Sequence, residues 1–146
     1  MKKRYVIFLV LAVAIIGALA FLCRPVAVDR GIDLSVVDSL SIEKTVFGIE
    51  SSIPTLDTAS FTLERGTPEF DELQNLLENS RCRLRLTDVL SITGRENVTL
   101  SYVINTGYGV AVSVSDNGQL SDGRITRHLS HADNFFAALD EILDGQ

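Results

Sequence analysis

An unbroken apolar run from Tyr5 to Cys23 constrains this chain more than any other feature of its sequence. The run has 19 residues without a charge and directly follows Lys2, Lys3 and Arg4. As a helix it would be roughly 28 Å long, close to the ~30 Å thickness of the hydrocarbon layer of a bilayer. Basic residues favour the cytoplasmic side, and more of them precede the run than follow it. The sequence therefore predicts a single-pass membrane helix at 5–23, with residues 1–4 in the cytoplasm and the remainder outside it.

The sequence leaves three outcomes open for this segment: an uncleaved anchor, a cleaved signal peptide and lipid attachment. An uncleaved anchor is favoured, because Phe21, Leu22 and Cys23 continue the apolar run past the small residues at 17–20. Those small residues are the site that a signal peptidase would use. Lipid attachment would use Cys23, which bulky Phe21 and Leu22 precede. In all three cases the domain is exported.

The charge of the exported part limits its partners. Beyond residue 24 the chain carries 9 of the 13 Lys and Arg residues and all 19 Asp and Glu residues, a net charge of −10. Nucleic acid and anionic lipid repel such a domain taken as a whole, so no nucleic-acid partner is expected. The remaining length, about 120 residues, suits one domain with one core. If Cys23 stays in the membrane, Cys82 has no partner in the chain, and we expect it to act as a small buried hydrophobe.

Alternating and helical spacings predict the elements of this domain. Strands are predicted near 40–46, 59–64, 81–86, 98–104, 108–115 and 125–129, where apolar and polar residues mostly alternate. Thr67 and Pro68 are typical of a helix start, and an apolar stripe extends that helix to about Asn79. Residues 87–96 are expected to form a loop.

Two local signals organise the C-terminal half. Asn117-Gly118 predicts a hairpin of type I′, in which both central residues have positive φ. Ser130 and Asp133 resemble a capping box that begins a closing helix, whose apolar stripe includes Phe136 and Leu139.

The predicted order β-β-α-β-β-β-β-α indicates an α+β fold. We expect a two-layer sandwich of an antiparallel sheet of about six strands with two amphipathic helices on one face, over residues 38–146. Residues 24–37, which contain Pro25 and Gly31, are predicted to be a tether. The other sheet face is expected to be polar and wet, with Glu43, Thr45, Ser60, Thr62, Arg81, Arg83, Arg85, Thr99, Ser101, Ser113 and Ser115 on it.

This arrangement resembles small membrane-anchored or lipid-anchored extracytoplasmic proteins of Gram-positive bacteria, a domain family of unknown function. The shared features are an export segment, the helix from Phe70 to Leu77, the hairpin at 115–118 and the helix from Phe135 to Leu143. The resemblance implies a location outside the cytoplasm and carries no activity with it.

One row of side chains is the candidate binding surface. Arg81, Arg83 and Arg85 alternate with Cys82 and Leu84, so a strand would align three guanidinium groups about 7 Å apart on one face. Such a row can hold phosphate or carboxylate groups of a wall polymer or an acidic protein segment. The alternative, favoured for so acidic a domain, is that the arginines pair with acids of the same sheet such as Glu43 or Glu64.

Catalytic motifs are not evident, so we expect a non-catalytic binding or accessory domain without a cofactor. The alternative is a metal-dependent envelope enzyme that uses His128, His131 and Asp133. Their spacing crosses a strand-to-helix junction, which disfavours a shared metal.

Overall fold

The computed structural model describes residues 2–32, 34–50, 53–85 and 98–145. Within these ranges helix α1 precedes eight strands and two further helices. The helices are α1 (Lys2–Leu22), α2 (Pro68–Asn79) and α3 (Ala132–Asp144). The strands are β1 (Val26–Ala27), β2 (Ser39–Glu50), β3 (Ile53–Glu64), β4 (Arg81–Arg83), β5 (Leu100–Asn105), β6 (Ala111–Ser115), β7 (Gln119–Ser121) and β8 (Thr126–Leu129).

Helix α1 contains an apolar window long enough to cross a membrane. The window, Tyr5–Leu22, has a mean hydropathy of 2.9, and none of it is buried against the domain. By length and composition it is a candidate membrane anchor or signal sequence. The helix ends just before Arg24 and Pro25, where the first charge after the apolar run is followed by a residue that cannot continue a helix.

The strands form one antiparallel sheet in the order β1-β4-β8-β7-β6-β5-β2-β3. Helices α2 and α3 pack against each other and against one face of this sheet. The predicted α+β class is confirmed, with eight strands where about six were expected. The additional strands are β1 and β7, which have two and three residues and are too short for alternation to reveal.

The core lies between the helices and the inward face of the sheet. The apolar stripes of both helices meet alternate residues of the central strands, among them Ile42 of β2, Ile104 of β5 and Val114 of β6. Cys82 of β4 belongs to the same cluster, as expected of a small buried hydrophobe.

Residues 24–37 differ from the predicted tether, because most of them are part of the domain. Val26–Ala27 pairs with β4, and two short 3-10 turns follow, Val28–Gly31 and Leu34–Val36. The segment buries four side chains in the core: Val28, Ile32, Leu34 and Val37. Their spacing follows neither a helical nor a strand period, so only the packed structure reveals their burial.

The hairpin at Asn117-Gly118 is confirmed, but the predicted turn type is wrong. Gly118 has φ +81°, whereas Asn117 has no positive φ, as a type I′ turn would require. The Gly118 amide donates to the Ser115 carbonyl at 2.8 Å, and a three-residue connection joins β6 to β7. These features indicate a turn closed by a left-handed glycine, the three-residue type of hairpin loop.

Two other local predictions are corrected. Tyr108, expected in a strand, is 67% exposed in a bend between Gly107 and Gly109, whose positive φ angles interrupt the extended backbone. The N-cap of α3 is His131, in left-handed conformation and without a side-chain capping bond, so Ser130 and Asp133 form no capping box.

The β2–β3 hairpin is longer than predicted. Its register continues unbroken from Ser39↔Glu64 to Glu50↔Ile53, whereas β5 covers β2 only as far as Val46. The predicted loop at 87–96 and the last residue of the strand predicted at 81–86 lie outside the described residues.

Candidate functional site

The predicted arginine row is only partly built. Arg81 and Arg83 lie in β4 with exposed side chains on either side of buried Cys82, as alternation requires. Strand β4 ends at Arg83, so Arg85 is exposed beyond it. The row is therefore two strand positions followed by one residue of irregular chain.

The Arg81 side chain turns away from the row towards α2. Its Nη1 donates to the Glu78 carbonyl at 2.5 Å and to the Ser80 carbonyl at 3.2 Å. These are carbonyls at the C-terminal end of α2, where a cation is favoured by the helix dipole. Arg81 therefore links α2 to β4, and Arg83 and Arg85 remain as the open part of the row.

The acids proposed as intrasheet partners lie at the opposite side of the sheet. Five strand spacings separate β4 from β2, which carries Glu43, so at ~4.8 Å per strand the distance is roughly 24 Å. Glu64 lies one strand further, on β3. The nearest cross-strand neighbours on that face are Ala27 for Arg81 and His128 for Arg83. Pairing with Glu43 or Glu64 is therefore contradicted by the strand order.

The outward face of the sheet is polar, as predicted. None of the eleven side chains assigned to it from sequence is buried. Serine and threonine dominate its centre, for example Ser101 of β5 and Ser113 of β6, which lie on neighbouring strands. This face offers a broad surface of hydroxyl groups with arginines towards the β1 and β4 edge.

A cleft of about 410 Å³ opens where the C-terminal end of α2, the start of β4 and the N-terminal end of α3 meet. Arg81 and His131 line it together with Asn134, and Leu76 and Phe135 supply apolar walls. Pro25, which follows α1, also lines it. None of the described residues that line this cleft is acidic, whereas Glu72 and Glu141 line a neighbouring cleft of about 370 Å³ between α2 and α3.

The alternative metal site does not assemble. His128 is 2% exposed in β8, whereas His131 and Asp133 are exposed at the start of α3. Among the residues that the structure describes, no group of three or more His, Cys, Asp or Glu side chains is placed to hold a metal ion. The proposed ligand set of the metal-dependent enzyme is therefore not brought together.

No protein-family model, curated protein or solved structure matches this chain.

A polar cluster that sequence reasoning missed links the sheet to α3. Lys44 of β2 places Nζ 2.5 Å from Oδ1 of Asp140, and the Tyr102 hydroxyl of β5 donates to the same oxygen. The signal was present in the pattern: Lys44 occupies an inward position of β2, and Asp140 lies four residues after buried Phe136. Both charged residues therefore fall on otherwise apolar faces.

The pKa values of this cluster follow from its contacts. Burial and the hydrogen bond to Asp140 raise the pKa of Tyr102 to about 12, so its hydroxyl remains a donor. The hydrogen bond to Asp140 raises the pKa of Lys44. Burial acts to raise the pKa of Asp140, but hydrogen bonds from Lys44 and Tyr102 outweigh it and the net shift is downward. The three groups satisfy one another, which is typical of a structural connection.

Proposed function

We propose that this chain is a membrane-anchored protein with a cytoplasmic N-terminus, whose α+β domain lies outside the cytoplasm and acts by binding rather than by catalysis. One observation carries the membrane anchoring: the apolar window Tyr5–Leu22 of α1 has no part buried against the domain. Exposed to water, so large an apolar surface would be strongly unfavourable, and a bilayer removes it from water.

The charges beside α1 support the orientation. Lys2, Lys3 and Arg4 precede the apolar window and Arg24 alone follows it closely. Basic residues are retained on the cytoplasmic side, so the N-terminus stays inside and the domain is exported.

The residues that follow 17–20, where cleavage would occur, favour an uncleaved anchor. Phe21, Leu22 and Cys23 prolong the apolar run beyond that site, whereas the apolar core of a signal peptide ends before it. Lipid attachment would use Cys23, which lies in the turn after the helix. The mass of the mature protein in the membrane fraction distinguishes the intact, cleaved and lipidated forms, and the intact mass is expected.

The polar outward face of the sheet is the proposed contact surface. Arg83 is exposed there and Arg85 is exposed just beyond the end of β4, and the acids expected to neutralise them lie across the sheet. Guanidinium groups bind phosphate and carboxylate groups through paired hydrogen bonds. Suitable partners are an anionic wall polymer or an acidic segment of an envelope protein.

Topology is tested with a Ser60→Cys variant and a membrane-impermeant maleimide. Ser60 is exposed on β3, and the variant also carries Cys23→Ser, because native Cys23 is partly exposed after α1; buried Cys82 then remains as the internal control. We expect Ser60→Cys to be labelled in intact cells. Labelling only after lysis would overturn the extracytoplasmic location.

Binding is tested with polyglycerol phosphate and polyglutamate as phosphate and carboxylate probes. A double variant, Arg83→Ser with Arg85→Ser, is expected to weaken binding of at least one probe. Arg124→Ser is the control, since it removes one exposed arginine at the turn between β7 and β8. If the double variant and the control bind alike, the arginine row is not the contact surface.

A further inference from the structure

The cleft between α2, β4 and α3 lies close to the end of the membrane helix. Pro25 lines the cleft and is three residues beyond Leu22, the last residue of α1. Three residues span at most about 10 Å, and the headgroup layer of one leaflet is roughly 5–8 Å thick. When α1 spans a bilayer, the cleft therefore opens next to the lipid headgroups.

The charge of the cleft differs from that of the domain around it. The domain has a net charge of −10 beyond residue 24, yet the described lining contains Arg81 and His131 and no carboxylate. The neighbouring cleft, which shares Leu76 with it, contains Glu72 and Glu141 instead. The cleft is therefore a concave site on these helices where an anion meets the Arg81 guanidinium and no carboxylate.

The remaining lining residues suit an amphiphilic ligand. Ser130 and Asn134 add hydrogen-bond donors beside the Arg81 guanidinium, which hydrogen bonds to α2 hold in position. Leu76, Phe135 and Pro25 form apolar walls. A phosphate group can bind the donors while a glycerol backbone contacts these walls.

We propose that this cleft binds the phosphate of an anionic phospholipid headgroup in the membrane that holds α1. The proposal rests on the membrane anchoring proposed above and adds a ligand to it. It also orients the domain, because a bound headgroup would hold the ends of α2 and α3 that meet at the cleft against the bilayer.

The test uses full-length protein in nanodiscs of phosphatidylcholine alone and of phosphatidylcholine mixed with phosphatidylglycerol. The NMR signals of the Ser130 and Phe135 amides report on the cleft, and the Ser60 amide on the sheet face is the reference. We expect the Ser130 and Phe135 signals to shift progressively with the phosphatidylglycerol fraction, while Ser60 does not change.

Two matched pairs of variants locate the site. Asn134→Asp adds a carboxylate to the proposed cleft, and Asn75→Asp makes the same change in the neighbouring cleft. We expect Asn134→Asp to abolish the shift and Asn75→Asp to retain it. Arg81→Ser should weaken binding about tenfold relative to Arg124→Ser, the loss expected for one charge-assisted contact.

The outcomes separate the lipid site from the anchor. Protein that inserts into both kinds of disc but shows no shift dependent on phosphatidylglycerol would overturn the lipid site and leave the anchoring intact. Protein that does not enter the discs would overturn both. An equal shift on adding inorganic phosphate to phosphatidylcholine discs would show a free-anion site and contradict lipid recognition.

Discussion

The Tyr102 hydroxyl on β5 donates a hydrogen bond to Oδ1 of Asp140 on α3. The same oxygen accepts a hydrogen bond from Nζ of Lys44, on β2, at 2.5 Å. The Tyr102 ring also stacks on Phe136 of α3, with 5.8 Å between ring centroids. One tyrosine therefore connects the closing helix to the middle of the sheet through both its polar and its apolar parts.

Tyr102→Phe removes the hydroxyl and leaves the ring stacked. We expect the free energy of unfolding to fall by about 1–2 kcal/mol, because a partly buried hydrogen bond to a carboxylate is lost. Urea unfolding of the full-length protein in phosphatidylcholine nanodiscs measures this. Tyr108→Phe is the control, since Tyr108 is exposed, and should change stability by less than about 0.5 kcal/mol. Equal effects of the two variants would show that the Tyr102 hydroxyl does not stabilise the fold.

The Asp140 carboxylate gives the domain a dependence on acid pH. The pKa of Asp140 is lowered in the folded protein, so its stabilisation is complete above the unfolded value of about 3.9 and is lost as pH falls through the folded value. Asp140→Asn should therefore be less stable than wild type at pH 7, and the difference should shrink below pH about 4. Unfolding measured across this range checks the prediction. A difference independent of pH would mean that the carboxylate charge is not involved.

Position 118 requires glycine because of both its backbone conformation and its surroundings. Its φ is +81°, and an added Cβ would lie 3.3 Å from the Cβ of Ala132. Gly118→Ala should cost more than Gly123→Ala, which has a similar φ of +79° and open space around it. The left-handed conformation alone accounts for about 1–2 kcal/mol in each variant. Thermal unfolding of both variants measures the two losses of stability, and their difference is the cost of the contact with Ala132. Equal losses would show that this contact has no cost.

Arg65 holds the segment that sequence alone assigned to a tether. Its Nε donates to the Val37 carbonyl at 2.8 Å and its Nη2 to the Leu34 carbonyl at 2.5 Å. Lysine cannot reproduce this planar pair of donors, so Arg65→Lys should lower the free energy of unfolding by about 1–2 kcal/mol. Arg124→Lys, at an exposed turn, should change the free energy of unfolding by less than about 0.5 kcal/mol. Chemical unfolding of the two variants compares them, and unchanged stability in Arg65→Lys would mean that these bonds do not secure the segment.

The fold class could be predicted because its signals are periodic. Alternation in β2 and β5 and the apolar stripes of α2 and α3 depend only on each element having one buried face. Strand β1 and the buried Leu34 were not predicted because their placement depends on hydrogen bonds of their backbone with β4 and Arg65, which are distant in sequence. Local spacing cannot carry such information.

The candidate site was less predictable for a related reason. The alternation of Arg81, Cys82 and Arg83 gave the correct faces of β4, but not the strand order that separates the arginines from Glu43. The redirection of Arg81 to the end of α2 depends on the direct connection of α2 to β4 through Ser80. The cleft joins three segments distant in sequence, so no motif marks it.

The short connection between α1 and β1 also determines how force would enter the domain. With α1 held in a bilayer, tension from a bound partner would reach the sheet first at β1, which is paired with β4 at only two register positions. Peeling of this edge would withdraw Val28 and Ile32 from the core before the long β2–β3 ladder is loaded. The domain is therefore mechanically weakest at its attachment to the membrane.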